Sequence, residues 1–177
     1  AVEAASDALD RLHTTAEAHD RVMLLEVMGR DAGWIALWAG IAGGADCIAI
    51  PEIAYDPERF VTKIRERRMR GRHFTIFVVA EGAAPASGEA LPSEVAHGKG
   101  RMVTGGAAQT LAKLITERID VETRVTVLGH LQRGGGPVAF DRVLATEFGV
   151  KAVELIVAGR WGDMVRLEAG TVSSVPI

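Results

Sequence analysis

Arg21-Val22-Met23-Leu24-Leu25-Glu26-Val27, followed at once by Met28-Gly29-Arg30, is the stretch on which the fold turns. A mostly apolar run of this length, without alternation, marks a strand buried on both faces, and such strands belong to parallel sheets covered by helices. The pattern returns in Cys47 to Ile50, closed by Pro51, in Phe74 to Ala80 and in Arg124 to Leu128. Helical spacing fills the intervals. Val2, Ala5, Leu9 and Leu12 share one face of a helix running to about Ala18, and Trp34 to Ala42 forms another that stops at Gly43-Gly44. Asp56-Pro57-Glu58 opens a third with an N-cap, a first-turn proline and an acid, and it runs to about Arg70. A fourth begins at Thr104 or Gly105 and ends near Ile119. The fifth spans Phe140 to about Ala158, with Leu144, Phe148, Val153, Leu155 and Ile156 as core candidates. Glu81 to Gly100 and His130 to Pro137 read as loops, and Met164 to Leu167 as a last strand. This alternation predicts an α/β fold, a three-layer α/β/α domain with a mostly parallel sheet.

The bulk numbers agree with one compact domain. The chain has 177 residues, 48% hydrophobic and 24% charged, with few aromatics, so Ala, Val, Ile and Leu must fill the core. A net charge of −3 argues against a nucleic-acid surface, though local arginines still suit small anions. Cys47 is the only cysteine; it lies in an apolar run and reads as core, and no intrachain disulfide can form. No run of roughly 18 apolar residues occurs and no signal peptide opens the chain, which predicts a cytoplasmic protein without a membrane span. Residue 1 falls inside a helical pattern without Met or cap, as expected for a piece of a longer protein.

In a parallel sheet, ligands bind beyond the carboxyl ends of the strands. Those ends lead into Met28-Gly29-Arg30, into Glu81, and into Gly129-His130-Leu131-Gln132-Arg133. The set holds two arginines, a histidine, a glutamate and several glycines. Arginine binds phosphate through a planar fork, glycines let backbone approach an anion, and a strand-end glutamate accepts from sugar hydroxyls. A phosphorylated polyol fits better than a nucleic acid or a lipid. Arg21 and Arg124 open their strands at the opposite edge and would complete a site only in a neighbouring subunit. Trp34 and Trp38, four apart on a helix, read as core or subunit interface, and Arg65 to Arg72 as a solvated basic face.

Glu26-Val27-Met28-Gly29-Arg30 with Gly33, then Ile41-Ala42-Gly43-Gly44 and Pro51-Glu52, resembles the middle of a 6-phosphofructokinase. Thr123 to Gly135, followed by Pro137 and Asp141-Arg142, resembles that family's signature segment, and the likeness runs in one order through almost the whole chain. Asp10 to His19 looks most like actinobacterial members.

The resemblance implies that Arg30 stabilises the transferring phosphoryl group, that Met28 and Gly29 contact fructose 6-phosphate, and that Glu81 holds sugar hydroxyls. His130 and Arg133 would grip the 6-phosphate, with Leu131 and Gln132 beside them. Arg21 and Arg124 would reach the 6-phosphate of an adjacent subunit in a homo-oligomer, dimer or tetramer. It implies ATP as donor with Mg²⁺, or pyrophosphate in the alternative relatives, and an effector site between subunits, with Gly44 and Asp46 near a Mg²⁺ ion and Arg70 and Arg72 at basic positions. His13 stands where allosteric bacterial members often carry arginine, which weighs against ADP activation. The family's donor-binding glycine loops and catalytic-base aspartate precede the part present here, so no metal of the catalytic site is expected within it. The 177 residues are expected to bind the sugar phosphate without turning it over. A non-catalytic sugar-phosphate-binding domain is the reading from another class.

Overall fold

The computed structural model of the protein describes residues 1–16, 21–86 and 106–177. The expected start of the fourth helix at Thr104 or Gly105, and most of the loop after Glu81, lie outside them. The chain forms two compact units, Ala1–Gly134 and Gly135–Ile177, in place of the single domain expected.

The first unit contains α1 (Val2–Ala16), β1 (Val22–Val27), α2 (Trp34–Ala42), β2 (Cys47–Ala49), α3 (Pro57–Met69), β3 (Thr75–Ala80), α4 (Ala107–Thr116), β4 (Thr123–Val127) and a 3-10 turn at Gly129–Arg133. Its sheet is parallel throughout, in the order β2-β3-β1-β4. The two central strands, β1 and β3, are buried along their whole length, as their apolar runs predicted. The crossovers set the layers. A parallel crossover is right-handed, so one that moves along the sheet in the reverse direction lands on the reverse face. From β1 to β2 the chain moves one way through α2; from β2 to β3 and from β3 to β4 it moves the other way through α3 and α4. Accordingly α1 packs with α2, and α3 with α4, on the two sides of the sheet. Phe77 and Phe60 meet edge to face at 4.9 Å inside the α3 layer.

Local chemistry ends the helices where expected. The Asp56 side chain accepts from the Glu58 N–H at 2.9 Å at the start of α3. The start of α4 is held differently. Glu26, the one acid of β1, is 3% exposed, and its carboxylate accepts from the N–H groups of Ala108 at 2.9 Å and Gly106 at 3.3 Å. A buried carboxylate is tolerable here because orphan N–H groups and the positive end of a helix face it.

Two expectations for α2 and Cys47 change. Trp34, Trp38 and Ile41 lie 63%, 61% and 68% exposed, so the tryptophans are not core. Cys47 is half-buried on an edge strand, packed against the core, and burial pushes its thiol pKa up.

The second unit is α5 (Ala139–Val157) with an antiparallel hairpin of β5 (Asp163–Glu168) and β6 (Thr171–Pro176). Its last strand pairs within the hairpin and does not extend the parallel sheet. Of the five core candidates on α5, only Leu155 is buried; Leu144 and Phe148 are half-buried, and Val153 and Ile156 are exposed. The apolar residues surround this helix, and a two-stranded hairpin covers only one side of it.

Replacing Glu26 with Ala strands two N–H groups at the mouth of α4. We expect a loss of about 1–3 kcal/mol, read as a lower urea midpoint with α4 amides exchanging first.

Candidate functional site

Register places the site. Val27 pairs with Ala80 and Glu26 with Val127, so Met28, Glu81 and Gly129 stand level at one edge of the sheet. Backbone bonds draw the three segments together: Glu81 N–H to Val27 O at 2.9 Å, Gly82 N–H to Gly29 O at 3.0 Å, and Leu128 N–H to Glu26 O at 3.1 Å. The sequence reading is right that these residues gather.

The turn after β1 needs its glycines. Gly29 has φ 144°, a conformation side chains rarely adopt. Gly82 admits the Arg30 backbone so closely that a Cβ there would lie 1.9 Å from the Arg30 carbonyl oxygen. Further along, the Gly33 N–H donates to both oxygens of Glu52, at 2.9 and 3.1 Å, which ties this turn to the end of β2.

Among the described residues, the side chains of Arg30, Glu81, His130 and Arg133 make no hydrogen bond or ion pair, and all but the half-buried Glu81 are exposed. Two guanidinium groups and an imidazole thus stand without an ion pair on neighbouring backbone turns. Leu131 is also exposed, at 76%. Gln132 differs: it is 2% exposed, and its amide is spent on backbone, accepting from Met28 N–H and donating to Gly129 O. Both ends of the Gln132 side-chain amide are thus engaged with backbone.

Arg21 and Arg124 lie at the opposite edge, as strand polarity required. Arg21 adjoins Val22 at the start of β1, and Arg124 is level with Met23. Five residues of strand separate Met23 from Met28, about 17 Å at the usual rise. Both arginines pair with Glu122, Arg21 through Nε at 2.8 Å and Arg124 through Nη2. The Arg21 hydrogen bond, aided by the charge of Arg124, holds the Glu122 carboxyl below the usual range.

The four residues of the expected effector site divide. Arg70 and Arg72 line a pocket of about 340 Å³ with Lys63, Glu66 and Arg67. The Asp46 carboxylate takes Arg67 Nη1 at 2.6 Å on one oxygen and the Ile76 N–H at 3.0 Å on the other. Gly44 is exposed beside Gly43, whose carbonyl accepts from His13 Nε2 at 2.7 Å. Among the described residues no three His, Cys, Asp or Glu side chains are grouped to hold a metal ion.

The phosphofructokinase family profile matches residues 1–156. The chain belongs to the phosphofructokinase family. It is 54% identical over 175 residues to the ATP-dependent 6-phosphofructokinase 2 of Clostridium perfringens, covering 98% of this chain and 48% of that protein. It is 51% identical over 182 residues to the ATP-dependent 6-phosphofructokinase of Mycobacterium tuberculosis, an actinobacterial relative, covering 100% of this chain and 52% of that one. The crystal structure of Pichia pastoris phosphofructokinase in the T-state superposes with a TM-score of 0.80 at 33% identity, over 99% of this chain and 19% of that one. The chain spans about half the length of the curated relatives it matches.

Glu26, Glu52, Gly82 and Glu122 support the segments of this candidate site by contacts that the sequence reading did not assign to them. Only Glu26 left a signal, as the lone acid in a buried apolar run. Two outcomes follow. Gly82→Ala must push the Arg30 backbone away and should cost about 1–3 kcal/mol in urea unfolding. Gly136→Ala, which meets nothing within 4 Å, should change stability by less than about 0.5 kcal/mol. Glu122 is a carboxylate with a depressed folded-state pKa, so its pairing is fully present above the ordinary value of about 4.3 and is lost only as pH falls through the lower folded one. An Arg21 Nε–H resonance should therefore persist below that ordinary value, and Glu122→Gln should abolish this dependence.

Proposed function

We propose that this chain supplies the acceptor half of an ATP-dependent 6-phosphofructokinase, holding fructose 6-phosphate while a phosphoryl group passes to its O1 in glycolysis. The observation that carries the reading is the set Arg30, His130 and Arg133 at the carboxyl edge of the sheet, without an ion pair or side-chain hydrogen bond among the described residues, together with Glu81 in the same state. A fold that pairs Arg21 and Arg124 with Glu122 but leaves these three open keeps them for an anion from outside. The names of relatives near half identity support ATP over pyrophosphate.

In this reading His130 and Arg133 grip the 6-phosphate, and Met28 and Gly29 lie along the sugar. Glu81 accepts from its hydroxyls, and Leu131 bounds the site. Arg30 faces the reacting end. The O1–phosphorus bond forms as the bond from that phosphorus to the ADP oxygen breaks, and negative charge spreads over the transferring oxygens. Arg30 stabilises that charge, and the O1 proton goes to a base in the donor half. We place that half in the part of the relatives' length that this chain does not span, with residues 1–177 as the sugar-phosphate portion. Mg²⁺ arrives with the nucleotide in this reading.

Arg21 and Arg124 serve a neighbouring subunit's 6-phosphate in a homo-oligomer, exchanging Glu122 for the phosphate. Arg70 and Arg72, with Gly44 and Asp46, form an effector position. We place the protein in the cytoplasm; no described helix is long and apolar enough to cross a membrane.

The test is steady-state kinetics on the protein that joins this chain to the donor half. Arg30→Ala should lower kcat on the order of 10²-fold and move the KM for fructose 6-phosphate far less. A change in KM alone would reduce Arg30 to a ground-state contact. Turnover with pyrophosphate and none with ATP would reverse the donor, and binding without turnover would favour a non-catalytic sugar-phosphate domain.

A further inference from the structure

One side chain links the two arginine-bearing segments of the site. Gln132 Oε1 accepts from the Met28 N–H at 3.2 Å, across 104 residues of sequence. Its Nε2 donates to the Gly129 carbonyl at 3.1 Å, at the head of the turn that carries His130 and Arg133. The amide is planar, so its donor and acceptor are held at a fixed angle and separation. Bonded at both ends and 2% exposed, it behaves as a rigid spacer between the end of β1 and the turn after β4.

A cap of the 3-10 turn alone would need only the local bond to Gly129. The bond to Met28 serves something else. β1 has left its ladder at Val27, and Met28 is the first residue of the segment that carries Arg30. On the β3 side the same segment is fixed by Gly82, through its N–H to Gly29 O and its contact with the Arg30 carbonyl. On the β4 side, among the described residues, the one side-chain bond to it is from Gln132. Both flanks must hold if Arg30 is to keep its distance from His130 and Arg133.

We propose that Gln132 is a positioning residue which sets the separation between Arg30 and the His130–Arg133 pair, so that one sugar phosphate spans both. The inference rests on the acceptor-site reading above. It makes a distinction that simple packing does not: a ligand reaching both segments needs the spacer, and a ligand held by the phosphate anchor alone does not.

The experiment compares the 177-residue chain with Gln132→Glu and Gln132→Met, using calorimetric titration with fructose 6-phosphate and with inorganic phosphate, and amide exchange at Met28. Glutamate keeps the shape and the acceptor but cannot donate to Gly129. Methionine keeps the bulk and loses both bonds, and it carries the test if a buried carboxylate prevents folding. We expect fructose 6-phosphate to bind on the order of tenfold more weakly to the variants, inorganic phosphate to change by less than about twofold, and the Met28 amide of Gln132→Met to exchange faster. Unchanged fructose 6-phosphate binding overturns the inference, and so does an equal loss for both ligands, which is what general loosening would produce. Wild-type chain that binds inorganic phosphate but no fructose 6-phosphate sinks the acceptor-site reading instead, and Met28 exchange then still reports whether Gln132 holds that segment.

Discussion

Strand β1 is hydrogen-bonded to β3 on one side and β4 on the other, and its register with them governs where every functional group falls. Three strands that end at one level deliver three turns to one edge. A slip by one residue would do more than shift the turns. It would rotate Glu26 out of line with the amides of Gly106 and Ala108 and bring a buried carboxylate against apolar neighbours. The acid in the middle of an otherwise apolar strand therefore acts as a register lock as well as a cap. Burial of β1 and β3 on both faces supplies the driving force, and Glu26 makes the neighbouring alignments costly.

The same register separates two kinds of arginine. At the amino edge, Arg21 and Arg124 share Glu122, and their charges are answered inside the unit. At the carboxyl edge, Arg30 and Arg133 make no ion pair among the described residues, and neither does Glu81, which follows the neighbouring strand. In the proposed reading these exposed arginines are kept for an anion that comes from outside. Arg67 shows the contrast within one helix: it takes Asp46, the Phe74 carbonyl and the Phe74 ring, and is structural in every contact.

Much of this was legible in the sequence where the signal is local. The apolar runs 21–27 and 74–80 announce central strands, and Asp56-Pro57-Glu58 and Gly43-Gly44 mark helix ends by chemistry that acts within a few residues. The hairpin was half missed for an equally local reason. Its turn is Ala169-Gly170, with φ 47° and 80°, where Asn-Gly or Asp-Gly would have shown a two-residue turn, and β6 carries Ser173 and Ser174 in place of an apolar alternation. For α5 the residues were read correctly as apolar, but a helix apolar all round does not say which side is covered. Gln132 was the opposite difficulty. In sequence it is a polar residue between two ligand-like neighbours. Its burial and its bond to Met28 depend on strands that meet across more than a hundred residues, which no local pattern encodes.

That division bears on how the site binds. The backbones of Met28 to Arg30 and of Gly129 to Arg133 are held by Gln132, by the contact at Gly82 and by the ladder bonds beneath them, whereas the side chains of Arg30, His130 and Arg133 extend unheld. A ligand therefore has to order side chains, at about 0.5–1.5 kcal/mol for each long one, and need not order the loops that carry them. Two charge-assisted bonds from a guanidinium fork exceed that cost, at about 1.5–3 kcal/mol each. Had the turns themselves been free, backbone ordering at about 1–2 kcal/mol per residue over the eight residues of the two segments would have consumed most of the gain. The glycines that let these turns approach a ligand would also make them the most costly to order, and the buried amide of Gln132 removes that liability before any ligand arrives.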